Sequence, residues 1–167
     1  SEQVAACCQS LNRATDHPTD VKREADIRHR IGVKDATPHQ VYESLTTVDG
    51  LAAWWTTDTK EAGGVLQFRF LQGGFDMKVL EARPGEHVRW EVVDGPEEWI
   101  GTTVDWRLRQ DGDYTIVLFE HQGWREPVEF MSHCSTKWAS YLLSLKSLGE
   151  TGRSAPAPDD VQISNWH

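Results

Sequence analysis

Positive charge is scarce in this chain of 167 residues: 17 Lys and Arg stand against 26 Asp and Glu, for a formal net charge of −9 with neutral histidines. An overall field of that sign repels polyanions such as nucleic acid and anionic membranes, and no local basic patch offsets it. Cysteine is scarce too. Cys7, Cys8 and Cys134 form no CxxC and no Cys/His spacing suited to zinc, and an odd count argues against a secreted disulfide framework. No apolar run approaches the ~20 residues a membrane span needs, and the N-terminal stretch lacks the basic start and apolar core of a signal peptide. The expectation is a reduced, cytoplasmic protein with neither a nucleic acid nor a membrane as partner.

Catalytic signatures are missing as well. There is no HExxH, no GxSxG, no GxGxxG after a strand and no GxxxxGK[ST], so metalloprotease, hydrolase-elbow, dinucleotide and P-loop readings lack a motif. The seven histidines are scattered, with no i, i+4 pair to set two ligands on one helix face. Neither a metal nor a cofactor is expected.

What the chain has in excess is tryptophan: eight residues, at 54, 55, 90, 99, 106, 124, 138 and 166. Wide flat side chains either fill a core or line a concave ligand site, and both readings stay open.

Val4, Cys7, Cys8 and Leu11 have helical spacing, which predicts a short helix over 2–14, followed by a charged linker over 19–26. Ile27, His29, Ile31 and Val33 then alternate with polar residues as a half-buried strand does, putting a histidine on the buried face. Thr37-Pro38 opens a helix carrying Val41, Tyr42 and Leu45; Asp49-Gly50 breaks it, and Leu51, Trp54 and Trp55 make a second short piece. From Gly63-Gly64 to His121 the pattern is an antiparallel meander punctuated by Gly73-Gly74, Pro84-Gly85, Asp94-Gly95-Pro96 and Asp111-Gly112. Its apolar positions share one face, and Arg89, Glu91, Asp105, Arg107 and Glu120 share the other. Ile116 and Leu118 break that rule, marking a contact with the N-terminal helix or a second subunit. Met131, Cys134, Trp138, Tyr141, Leu142, Leu145 and Leu148 give a helix of about six turns with one buried stripe, ended by Gly149 and Gly152. An extended tail follows from residue 153.

One strand, two short helices, a meander and a long helix make an α+β chain: a curved antiparallel sheet of about six strands around the C-terminal helix. The run Ala36-Thr37-Pro38, Val41-Tyr42, Leu45-Thr46, Leu51 and Trp54-Trp55 resembles the opening of the bacterial proteins related to the activator of Hsp90 ATPase. So do Trp99-Ile100-Gly101-Thr102, the set Thr115, Val117, Phe119, His121, Gly123 and Trp124, and Trp138 with Leu145-Lys146. The likeness spans roughly residues 26–152 and implies the START/Bet v 1-like (SRPBCC, helix-grip) superfamily. In that superfamily the space between sheet and helix takes lipids, polyketides or other apolar molecules, and a few members are cyclases or hydrolases. The chain thus divides into an extension over 1–25, a ligand-binding domain over 26–152 and a tail over 153–167.

The candidate lining is Trp54, Trp55, Phe68, Phe75, Met77, Trp90, Trp99, Trp106, Phe119, Trp124, Trp138 and Tyr141, with His29 and His121 as its polar members. In the resembled fold the first and last strands pair, which would bring the two histidines together to fix a polar head or act as base. Cys134 is expected to be a packed, inert thiol and His133 to point away. Three functions remain open: binding of a small apolar or aromatic molecule, a cyclase or hydrolase using a pocket histidine, and an interaction or chaperone-cofactor-like module, with a homodimer among its forms.

Overall fold

The computed structural model describes residues 25–167. The helix expected over 2–14 and most of the charged linker lie outside them. The elements run β1 (Ala25–Lys34), α1 (Pro38–Thr46), α2 (Val48–Trp54), β2 (Thr59–Ala62), β3 (Val65–Phe70), β4 (Gly73–Arg83), β5 (His87–Asp94), β6 (Thr103–Asp111), β7 (Tyr114–Trp124) and α3 (Glu129–Thr151). The strands form one antiparallel sheet in the order β1-β7-β6-β5-β4-β3-β2, with α3 packed on its concave face.

Local chemistry accounts for most of the boundaries. Thr37 and Gln40 form a reciprocal capping box around Pro38, so α1 starts with its orphan donors satisfied. The break to α2 falls at Thr47, which caps Gly50 N; Asp49-Gly50, expected to be the break, lies inside the first turn of α2. A side chain at Gly50 would stand 2.6 Å from the Glu43 carbonyl, so only glycine lets the two helices turn this tightly. At the other end of the fold, α3 stops where Gly152 takes a left-handed φ of 75°. Gly149, expected to help end it, lies within it and lets the helix approach Val33.

The sheet has seven strands where about six were expected. The additional one, β2, is short and polar; it pairs with β3 through a two-residue Gly63-Gly64 turn, both residues at positive φ. Gly73 and Gly74 are not a turn. They open β4 opposite Phe70 and Arg69, leaving Leu71-Gln72 to connect the strands.

Alternation sorts the two faces. On the inner face Val88 lies opposite Trp106 and Trp106 opposite Phe119. On the outer face one row reads Arg28, Glu120, Asp105, Arg89 across four strands. Asp105, expected to be wet, is 3% exposed beneath His87, Arg89 and Arg107, at 2.6, 3.1 and 3.4 Å. Ile116 is buried outside the main core and lies opposite Gly32, while Leu118 is half-buried.

Candidate functional site

Most of the aromatic set fills space. Trp54, Trp55, Phe68, Met77, Trp90, Trp106, Phe119, Trp124 and Trp138 are essentially inaccessible, and burying each is worth roughly 1.5–3 kcal/mol. Trp54 stacks on Trp55 at 5.4 Å and 11°, and its Nε1 donates to the Ser44 carbonyl. Trp106 meets Phe119 edge-on at 4.9 Å. These contacts lock the rings by packing.

The packing stops at one edge of the helix. A cleft of about 200 Å³ opens there, lined by Trp55 from the end of α2, Phe70, Gln72, Gly74 and Phe75 from the β3–β4 hairpin, and Pro96 and Trp99 from the β5–β6 loop. Phe130, His133, Cys134, Lys137, Trp138 and Tyr141 add one face of α3, and Trp166 and His167 close the mouth. Of the residues read as candidates, Trp55, Phe75, Trp99, Trp138 and Tyr141 border this cleft. Trp54, Phe68, Met77, Trp90, Trp106, Phe119, Trp124, His29 and His121 do not.

The residues that the sequence reading left out are as telling. Phe130, His133 and Lys137 share the helical spacing of Cys134, Trp138 and Tyr141, and extending that stripe by one position to either side would have found them. His133 does not point away: it stacks on Phe130 and contacts Trp166, and burial together with Lys137 and His167 holds it below its ordinary value. Cys134 is a neutral thiol, pushed up to about 12 by burial.

The indole N–H groups of Trp55, Trp99, Trp106 and Trp124 are buried with no acceptor among the described residues. Two of these four rings border the cleft. The Trp99 N–H faces the Cys134 sulfur closely enough to oppose the effect of burial on the thiol, yet misses hydrogen-bond geometry.

The segment after α3 meets the polar ends of two cleft residues, Lys137 and Tyr141, although its Asp160 does not itself border the cleft. Ala157 N donates to the Trp55 carbonyl at 2.8 Å, and the chain then crosses α3. Asp160, its side chain 4% exposed, takes the Lys137 ammonium at 2.7 Å and the Tyr141 hydroxyl at 2.8 Å, with His167 Nε2 at 3.3 Å. Burial pushes the Asp160 carboxyl up, but these three partners prevail and hold it below the ordinary carboxylate value. The Tyr141 phenol is driven the other way, by burial and by Asp160, and stays neutral.

His121 and His29 face the interior from neighbouring strands but serve separate partners. Register sets His121 opposite Ile27 and His29 opposite Phe119. His121 is fully enclosed: Trp138 Nε1 donates to Nδ1 at 3.1 Å, and Nε2 lies 2.7 Å from Thr102 Oγ1, which donates to the Trp99 carbonyl. Its value is lowered to about 3 by burial. His29 Nε2 lies 3.0 Å from the Ser135 carbonyl. Among the described residues no three His, Cys, Asp or Glu side chains are grouped as metal ligands would be, and no helix is long and apolar enough to cross a membrane.

A family model described as "Activator of Hsp90 ATPase homolog 1-like protein" matches residues 35–150. No curated protein matches the chain. Among solved structures, the Aha1 dimer from Colwellia psychrerythraea is 42% identical, covering 78% of this chain and 99% of its own, with a TM-score of 0.72. A Bacillus halodurans protein, BH1534, is 20% identical over 78% of this chain and 100% of its own, with a TM-score of 0.63. A Mesorhizobium loti protein, MLL2253, is 15% identical over 74% and 96%, also with a TM-score of 0.63. The last two likenesses establish the fold, which is shared too widely to single out an activity.

Proposed function

The chain belongs to the activator of Hsp90 ATPase homolog 1-like family, within the START/Bet v 1-like superfamily, and from that premise we propose that it binds a small, largely aromatic molecule in the cleft between α3 and the β3–β4 hairpin. The observation that carries this reading is the contrast between a filled core and one unfilled edge. An interior able to pack Trp54, Trp90, Trp106 and Phe119 against one another leaves a gap along Phe75, Trp99 and Tyr141, with the buried Trp55 in its wall. At about 200 Å³ the cleft is smaller than the ~300–1,000 Å³ of drug-sized sites, which suits a molecule of one or two rings.

Binding is preferred to catalysis because the two histidines first considered as bases are committed elsewhere: His121 has both ring nitrogens in contact, and His29 is held by Ser135. A cyclase or hydrolase would have to use His133 or His167, the two histidines that border the cleft. The test is a thermal-shift and fluorescence titration of the full chain against one- and two-ring aromatics. A true ligand at 100 times its Kd adds about 2.7 kcal/mol of stability, and Trp99→Ala should erase that gain. A flat response across the series would refute the reading.

Self-association is a second element of the proposal, favoured by the dimeric relative from Colwellia psychrerythraea at 42% identity. We assign this chain the same state, to be checked by light scattering coupled to size-exclusion chromatography. A reducing, cytoplasmic setting accords with the free, buried thiol of Cys134.

A further inference from the structure

Resting on the cleft being a binding site, we propose that its ligand carries a carboxylate, and that Asp160 occupies that carboxylate's place until the ligand arrives. Lys137 borders a mostly aromatic wall, with its side chain 14% exposed. A lysine so placed needs an anion, because an unpaired charge in such surroundings is strongly disfavoured. Among the described residues its carboxylate partner is Asp160, and the Tyr141 hydroxyl donates to the same Oδ2 atom. The pair Lys137 and Tyr141 therefore forms a two-donor recess for one carboxylate oxygen, with the ammonium also 5.1 Å from the centre of the Tyr141 ring.

The donors and the acceptor come from parts of the fold with different anchorage. Lys137 and Tyr141 are fixed on α3, whereas Asp160 arrives on a segment without helix or strand apart from the Thr56–Ala157 bridge. That same segment supplies Trp166 and His167 to the mouth of the cleft. When a ligand carboxylate replaces that of Asp160, the charge at the recess is unchanged and both donors keep a carboxylate partner. The Lys137 bond to the Val161 carbonyl and the His167 contact with Asp160 are given up as the segment lifts and the mouth widens. An aromatic monocarboxylic acid of one or two rings meets these conditions: its ring takes the space between Trp55, Phe75 and Trp99, and its carboxylate reaches Lys137.

The experiment compares naphthoic acid with its neutral isostere naphthamide, titrated calorimetrically into the full chain. In the unaltered protein the acid binds more tightly than the amide. Asp160→Asn removes the internal competitor and raises the ratio of acid to amide affinity about tenfold; Lys137→Met abolishes the preference for acid. Amide binding that equals or exceeds acid binding overturns the carboxylate proposal and leaves the cleft reading standing. Binding of neither probe, in the unaltered chain or in Asp160→Asn, overturns both. The acid–amide comparison in the unaltered protein decides the matter even where a variant melts early.

Discussion

Trp138 Nε1 donates a hydrogen bond to His121 Nδ1 across 3.1 Å of fully buried space. An indole nitrogen can only donate, so this bond fixes the imidazole as the neutral Nε2–H tautomer. Nε2 then donates to Thr102 Oγ1, and the Thr102 hydroxyl in turn donates to the Trp99 carbonyl. The relay ties α3 to β7 and to the loop that presents Trp99 to the cleft. It is a structural polar network, and its members are committed before any ligand arrives.

Acid should weaken the fold in a window set by His121. Its folded value of about 3 lies below the ordinary 6.5, so the unfolded chain binds a proton first. The stabilisation is complete above pH 6.5 and is lost progressively as pH falls toward 3, by an amount on the order of 5 kcal/mol at most. The stabilisation from the lowered carboxyl of Asp160 is present above its ordinary value of 3.8 and is lost only below it, which leaves the upper part of the window to histidine. His133 shifts in the same direction and supplies the control. Urea titrations from pH 7 to 4 should show a slope that His121→Gln flattens strongly and His133→Gln only slightly.

Trp138→Phe keeps most of the ring volume and removes the donor. His121 Nδ1 is then a buried acceptor without a partner, and the expected loss is about 1–3 kcal/mol. Chemical denaturation would measure it. A loss below 0.5 kcal/mol would mean that the relay adds nothing beyond packing.

Gly149 lies inside α3, where replacement of glycine by alanine ordinarily gains about 1 kcal/mol. Here the sign should reverse, because an added Cβ would stand 2.5 Å from Val33 Cγ1 and Val33 is fully buried in β1. Gly149→Ala is expected to cost about 1–3 kcal/mol, and a double-mutant cycle with Val33→Ala should show coupling between the two. Thermal unfolding of the four proteins checks both the sign and the coupling.

Asp105→Asn should destabilise by about 1–3 kcal/mol, since it leaves His87, Arg89 and Arg107 facing one another without the buried charge that unites them. Arg107→Ala should cost little, because that side chain is 63% exposed. Comparing the two variants by urea unfolding separates the buried anion from its solvated partners.

The fold was legible because its strands alternate cleanly. Val88, Trp90 and Val92, or Val117, Phe119 and His121, can face the core only as strands, and Thr37-Pro38 opens a helix by cap chemistry that is local. The strand β2 was hidden because Thr59–Ala62 carries no apolar alternation and is held by its turn and by β3. The site was less legible for a different reason. Whether a tryptophan fills or lines depends on whether a neighbour reaches it from a distant element, and sequence parity is silent on that. Trp90 and Trp55 look alike in sequence, but only Trp55 borders a gap. The contact of Asp160 with Lys137 and Tyr141 had no periodic signal at all, because the segment that delivers it has no regular structure.

The pairing of β1 with β7 has a consequence for how the chain comes to be folded. The strands β2 to β7 join through successive hairpins, but β1, synthesised before all of them, has its partner in the last. During synthesis β1 must wait, edge unpaired, until Tyr114–Trp124 has been made and can dock beside it. Closure across such a sequence distance is slow compared with hairpin formation. The side chains of Arg28, Arg30 and Lys34 suit that wait: cationic positions along an unpaired strand discourage a neighbouring nascent chain from adding to it, and Arg28 later meets Glu120 in the finished sheet.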